Sequence, residues 1–288
     1  MDSYHGRFAP SPSGRLHFGS LVAATGSYLR ARSRKGFWHL RIEDIDTTRC
    51  RPEFSDAILR DLELLGFEYD GPVLHQTQRL DFYREHLDEL IREGKTYCCT
   101  CTRADVRKMG GVYNGHCRNL NLPQTEGSSI RFRSTIYVDQ YADEIRGTVK
   151  NPYPDVQDMI LRRRDGLYSY NLVCLLDDID TGITEVVRGA DFLYETFMQI
   201  SFIRELNEKV PGYIHLPLAM EDDGHKYSKQ NHAVPIDTAH ASELLVKAIK
   251  FLGQHIPDAL EHEKPADILR YATEHFSVEK IPTDDRII

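Results

Sequence analysis

The 288-residue sequence predicts an α/β fold, a parallel sheet wound by helices, with a cysteine-rich insertion and a helical end. Three observations predict it. Strand-like and helix-like apolar periods alternate over the first ninety residues, the pattern of strands joined by helical crossovers. Four of the six cysteines (Cys98, Cys99, Cys101 and Cys117) fall within twenty residues and break that rhythm. The last fifty residues show helical spacing only.

The elements follow in order. Gly6–Ala9 reads as a short strand, and Pro10-Ser11-Pro12-Ser13-Gly14 as a loop, because two prolines and a glycine break regular structure. Ser20–Arg32 places Leu21, Ala24, Tyr28 and Leu29 at helical spacing. Trp38–Ile42 alternates as a strand and runs into the acidic Glu43-Asp44-Ile45-Asp46. Pro52 opens a helix that Gly66 stops, and a further helix covers Leu80–Arg92 before Gly94. Asp165-Gly166 between apolar stretches signals a hairpin within Ile160–Val173. Asp191–Leu206 carries Leu193, Phe197, Ile200 and Ile203 on one helical side. The expected organisation is a Rossmann-like doubly wound sheet split over 1–94 and 151–238, a zinc-containing insertion at 95–150, and a helical region at 239–288.

Composition excludes several classes. No apolar run approaches membrane-span length and no secretory leader precedes Arg7, so a cytoplasmic location is expected. A net charge of −8 argues against indiscriminate nucleic-acid coating, though a local basic patch could still bind RNA. Arg30, Arg32, Arg34 and Lys35 form one candidate patch, and Arg162-Arg163-Arg164 another; charge alone favours solvated faces for both.

Two segments carry phosphate chemistry. In Pro12-Ser13-Gly14-Arg15-Leu16-His17-Phe18-Gly19-Ser20, a loop runs into a helix whose first N–H groups and positive dipole end suit a phosphate. His17 can donate to a phosphate oxygen, and Gly19 has no side chain to block a nucleotide. Far along the chain, His225-Lys226-Tyr227-Ser228-Lys229-Gln230 sets two lysines around a hydroxyl in a polar loop. Lys229 can neutralise charge on an α-phosphate and a departing pyrophosphate. The cysteines add a third feature. In a chain without a leader they favour metal over disulfides, and three thiolates on two turns suit tetrahedral zinc. His116 or Cys98 would supply the fourth ligand on chemistry alone.

In this order the two phosphate segments resemble the HIGH and KMSKS signatures of class I aminoacyl-tRNA synthetases. Phe18, Ser20, Tyr227 and Gln230 depart from those patterns, while His17, Gly19, Lys226, Ser228 and Lys229 match. Arg7-Phe8-Ala9-Pro10-Ser11-Pro12-Ser13-Gly14, Arg41-Ile42-Glu43-Asp44-Ile45-Asp46 and Val187-Arg188-Gly189-Ala190-Asp191 after Tyr170 and Asp177-Asp178 resemble the glutamyl branch of that class. The resemblance covers about residues 4–236.

It implies ATP-dependent activation of L-glutamate, with Mg²⁺ carried by the ATP phosphates. His17, Gly19 and Lys229 are then the catalytic set, and Pro12, Ser20, Lys226 and Ser228 complete the ATP site. Arg7 and Arg188 can each pair with a substrate carboxylate, Glu43 can take the ammonium, and Ala9, Ser11 and Tyr170 complete the glutamate pocket. Cys174 stands where the branch is expected to carry asparagine, which predicts a differently tuned pocket. The branch's Cys-x-Cys…Tyr-x3-Cys pattern implies Cys99, Cys101, Tyr113 and Cys117 as ligands of one structural zinc. The sequence ends 58 residues after Gln230, too short for helical anticodon-binding domains. What this implies is a stand-alone member of the branch, a monomer without membrane attachment. It would pass glutamate to the queuosine base in the anticodon of tRNA(Asp). The competing expectations are a shortened ligase charging a tRNA 3′ end and a non-catalytic RNA-binding descendant.

Overall fold

A computed structural model describes residues 3–153, 158–221 and 234–287. Strand β1 (His5–Phe8) leads through the predicted loop into α1 (Phe18–Ser33), which starts two residues earlier than the apolar spacing suggested. Strand β2 (Phe37–Ile42) follows and pairs in parallel with β1, and α2 (Pro52–Leu64) leads to the short β3 (Leu74–His75), parallel to the end of β2. Proline at the first turn of α2 fits because that N–H needs no helical partner. Gly66, at φ +77°, turns the chain out of it and packs against the backbone of Ala266, closer than a Cβ would allow. Helix α3 (Leu80–Arg92) then occupies the span predicted for it.

The cysteine-rich stretch opens with β4 (Thr96–Cys99) and α4 (Arg103–Lys108), the latter held by a capping box between Thr102 and Asp105. Strand β5 (Ser129–Phe132) pairs antiparallel with β4, and β6 (Gln140–Asp143) with β7 (Gly147–Lys150). The third strand of the first of these sheets is β8 (Ile160–Arg162), so that sheet reaches past residue 150. Asp165-Gly166 does form the tight turn expected of it, closed by Arg163 and Leu167, with Gly166 at φ +86°. The second arm is only one bridge, Arg162 to Tyr168, because Ser169 caps a helix at once. The apolar run read as a hairpin arm is the start of α5 (Tyr170–Asp180).

Strand β9 (Glu185–Gly189) is followed by a 3-10 turn and α6 (Glu195–Glu205), and then by β10 (Gly212–Leu216), parallel to β9. The helix predicted from Asp191 therefore begins at Glu195. Strand β11 (Ala219–Met220) precedes α7 (Ala241–Phe251), α8 (Pro265–Glu274) and β12 (Arg286–Ile287). The two parallel ladders are separate pieces that meet at the Thr184 N–H, which donates to the His5 carbonyl at 2.9 Å.

The main core lies on α1. Leu21 and Leu29 pack with Trp38 and Leu40 of β2, Ile58 and Leu62 of α2, and Ile249 and Leu269 of α7 and α8. The C-terminal helices thus share the core built on α1, and β12 pairs with β11 beside the cleft described below. Both basic clusters are partly taken up by acids: Arg30 is buried on Glu185, Arg32 meets Asp70, and Arg163 meets Asp46 and Asp165, while Arg34 and Lys35 are exposed. No described helix is long and apolar enough to cross a membrane.

Candidate active site

The carboxyl ends of β1, β2, β9 and β10 converge on one cleft of about 270 Å³, the usual ligand position in parallel α/β sheets. Arg7, Ala9 and Ser11 enter it from β1 and its loop, Glu43 from β2, Tyr170 from α5 and Arg188 from β9. His17, Gly19 and Ser20 line the same cleft. Pro12 does not; it is buried, and its carbonyl accepts from the Arg51 N–H at 3.0 Å. Lys226, Ser228 and Lys229 lie outside the described residues. Their flanks reach the cleft on both sides: Ala219 lines it, and Pro235 bridges His17 while the Ile236 N–H donates to the Leu16 carbonyl.

His17 caps α1. Its Nδ1 accepts from the Ser20 N–H at 3.3 Å, and its Nε2 sits 3.2 Å from the Ser20 hydroxyl. One of the helix-start donors expected to face a phosphate is therefore used by the histidine itself. The dipole end still faces the cleft.

The carboxylate-binding side is a dense buried ion network. Asp178 accepts from Arg7 Nε at 3.2 Å and from Arg41 Nη1 at 2.6 Å. Arg41 Nη2 also reaches Glu43 Oε1 and the Cys174 sulfur, each at 3.2 Å. Burial alone would discharge Asp178, but Arg41 and Arg7 hold its carboxyl below the usual range. Glu43 goes the other way, since burial outweighs the attraction of Arg41 and raises it. A buried carboxylate with a raised pKa gains when a cation arrives, which suits an incoming ammonium. Burial and then Asp178 push the Cys174 thiol up to about 12, so Cys174 is a neutral thiol against Tyr170 (3.6 Å) and Arg41.

Behind Arg188 lies a layer that sequence reasoning missed. Arg188 Nη2 donates to Thr196 Oγ1 at 2.7 Å and to Gln199 Oε1 at 2.6 Å, and Nε to His215 Nε2 at 3.3 Å. Arginine only donates, so His215 Nε2 is the acceptor and its proton sits on Nδ1, 2.8 Å from Asp143 Oδ2. Burial lowers the His215 pKa against the pull of Asp143, consistent with a neutral ring. Arg188 is thereby held in one orientation by three buried groups. No local pattern announces them, because they come from two separate elements, Thr196 and Gln199 from α6 and His215 from β10.

The Cys99, Cys101 and Cys117 sulfurs lie within 4.8 Å of one another. Burial, and then the neighbouring thiols, push Cys101 up to about 12; three thiolates at this spacing need a cation between them. His116 is exposed and Cys98 is outside the cluster. Tyr113 borders it: its hydroxyl interacts with Cys99, accepts from the Cys117 N–H at 2.9 Å, and its ring lies under Arg131 at 3.7 Å. The donor set fits a thiolate-rich zinc with one oxygen ligand.

A helix-start phosphate cradle beside two buried arginines, at the carboxyl ends of parallel strands, defines an amino-acid-activating core of the class I synthetase type. The family model of class I tRNA synthetases (E and Q), catalytic domain, matches residues 4–253. Glutamyl-Q tRNA(Asp) synthetases of Yersinia pestis and Salmonella paratyphi A are 47% and 45% identical over 285 residues. These matches cover 99% of this chain and 88% and 95% of those proteins. The chain belongs to this class I family, and to its glutamyl-Q tRNA(Asp) synthetase branch. The fold matches a glutamate tRNA ligase of Elizabethkingia meningosepticum solved with its amino acid. The TM-score is 0.78 at 24% identity, covering 99% of this chain and 67% of that one.

Proposed function

We propose that the chain activates L-glutamate with ATP to glutamyl-adenylate and transfers it to the queuosine base in the anticodon of tRNA(Asp). The observation that carries this is the single cleft shared by the two arginines, Glu43 and the capped start of α1. Asp178 takes the Nε side of Arg7, so a substrate carboxylate meets the outer end of that guanidinium. Arg188, already fixed from behind, receives the other carboxylate, and Glu43 the ammonium. Ala9 and Ser11 form the near wall and Tyr170 orients the substrate. The bound glutamate then presents one carboxylate in line with the ATP α-phosphate. A carboxylate is already nucleophilic, so no general base is required for this step.

His17, Gly19 and Ser20, with Pro12 shaping the loop, hold the phosphates. Lys226, Ser228 and Lys229, between flanks that reach the cleft, close on the pyrophosphate with the Mg²⁺ of ATP. In the second step a queuosine hydroxyl oxygen bonds to the glutamyl carbonyl carbon. The bond from that carbon to the AMP phosphate oxygen breaks, and the hydroxyl proton leaves with the departing phosphate. The chain acts as a monomer in the cytoplasm, built as catalytic halves 1–94 and 151–238 around the 95–150 insertion, whose sheet also takes in β8, with a mainly helical region at 239–288 that ends in β12.

The test is ATP–pyrophosphate exchange with glutamate in the absence of tRNA, followed by transfer of labelled glutamate to tRNA(Asp) with and without queuosine. Exchange without tRNA and transfer only to the queuosine form are expected; charging of a 3′ end on tRNA lacking queuosine would overturn the assignment. Lys229→Ala is expected to lower exchange by about 10²- to 10³-fold, the loss typical of one transition-state donor. An unchanged rate would remove Lys229 from the reaction.

A zinc held by Cys99, Cys101, Tyr113 and Cys117 would neutralise the three thiolates and fix the insertion. About one zinc per chain is expected by elemental analysis, lost in Cys99→Ala. Metal-free wild-type protein would refute it.

A further inference from the structure

The wall that closes the glutamate cleft also bounds a second cavity. Asp191 lines both, and Tyr170 and Asn171, consecutive at the start of α5, line one each. The second cavity has a volume of about 550 Å³ and runs from this wall to Tyr113 of the cysteine cluster. Tyr153 and Tyr194 line it with 56% and 59% of their surfaces exposed, two aromatic faces beside a reaction centre. Glu195, half-buried in the same wall, makes no hydrogen bond or ion pair among the described residues. Asn171 Oδ1 accepts from Gln199 Nε2 at 2.8 Å, so its amide N–H₂ is left as the donor. Gln199 in turn accepts from Arg188.

We propose that this cavity receives the queuosine base. The inference rests on the function argued above and names the residues that read the acceptor. The ligand's chemistry has three parts: a flat deazaguanine, a secondary amine protonated at neutral pH, and a cyclopentene diol bearing the hydroxyls. The base stacks on Tyr194 and Tyr153, the ammonium lies on Glu195 beside Asp191, and the Asn171 amide donates to the diol. Stacking tolerates any base, so the ammonium contact carries the selectivity. The volume is in the range of pockets that hold a flipped nucleotide or a ligand of that size. Asp191 lines both cavities, so a diol at this boundary is placed next to the glutamate cleft. Adenosine at a tRNA 3′ end carries no ammonium and gains nothing from Glu195.

The experiment compares wild type, Glu195→Gln, Tyr194→Ala and Tyr194→Phe in two assays: glutamate-dependent ATP–pyrophosphate exchange, and glutamate transfer to queuosine-containing tRNA(Asp). Exchange is expected to stay within about twofold in all three variants. Transfer kcat/KM is expected to fall about 10- to 100-fold in Glu195→Gln and Tyr194→Ala, with Tyr194→Phe keeping most of it. Unchanged transfer with intact exchange overturns the proposal, and so does a parallel fall in exchange, which places the lesion in the glutamate cleft. If wild type transfers nothing to queuosine-containing tRNA, the functional reading fails, whatever the variants do.

Discussion

Replacing Arg188 by alanine is expected to lower kcat/KM for glutamate in ATP–pyrophosphate exchange by about 10²- to 10⁴-fold. A charge-assisted hydrogen bond contributes about 1.5–3 kcal/mol, and a substrate carboxylate can take two from one guanidinium. Tenfold corresponds to about 1.4 kcal/mol. The change should appear chiefly in the KM for glutamate, leaving the KM for ATP within a few-fold, because the phosphates sit on the α1 side of the cleft. Arg188→Lys should recover little. Lysine cannot donate at once to Thr196, Gln199 and His215, which hold the guanidinium at 2.7, 2.6 and 3.3 Å, and still meet the substrate. The alanine variant also leaves buried Gln199 Oε1 without its donor, a cost of about 1–3 kcal/mol in stability. Steady-state exchange kinetics decide the matter. An unchanged KM for glutamate would mean that Arg188 serves only the packing of β9 against α6.

Why the site could be read in part from the sequence follows from where its residues sit. Arg7 lies on a strand, Ala9 and Ser11 lie on the loop whose prolines and glycine mark it, His17 and Gly19 open the helix that follows, and Glu43 comes directly after an alternating strand. Local periodicity places these elements, and the sheet brings their ends together. The cysteine cluster was equally legible, because Cys99, Cys101 and Cys117 lie within one short stretch of the chain. What local pattern does not encode is the support beneath. Asp143 meets His215 from 72 positions away, and Asp178 meets Arg7 from 171. Asp143 looked like an ordinary acid on an ordinary element, and Asp178, part of the branch resemblance, had no partner that the sequence could name. The pairing of β11 with β12 escaped for a different reason: two-residue strands carry no period. The cap made by His17 is the finer lesson. A histidine before a helix was read as a ligand for phosphate, and in the structure its ring satisfies the helix start itself.

Asp178→Asn is expected to produce the largest loss of stability of any single change in the cleft, about 3–5 kcal/mol, the cost of breaking a buried ion pair from one side. The reason is its position between two cations. Arg7 and Arg41 are both almost fully buried, and both direct N–H groups at this carboxylate. Glu43 remains as the nearby anion, but burial already raises its pKa, so it is a poor substitute. At this chain length about 1 kcal/mol shifts Tm by roughly 2–4 °C, and a fall of roughly 6–20 °C follows. The pH dependence has a definite sign. The folded-state pKa of Asp178 is depressed, so its contribution is fully present above the ordinary carboxylate value of about 3.9. It is lost as pH falls through the lower folded-state value. Wild type should therefore shed this increment only in strong acid, and the variant should lack it throughout. Thermal melts of both proteins between neutral pH and about pH 3 test this; a Tm within about 2 °C of wild type at neutral pH would exclude it. Function and stability separate here in an instructive way. The asparagine keeps a carbonyl acceptor for Arg7 Nε, so a variant that still folds should retain some glutamate binding. Arg188→Ala does the reverse, because its loss falls on the substrate before it falls on the fold.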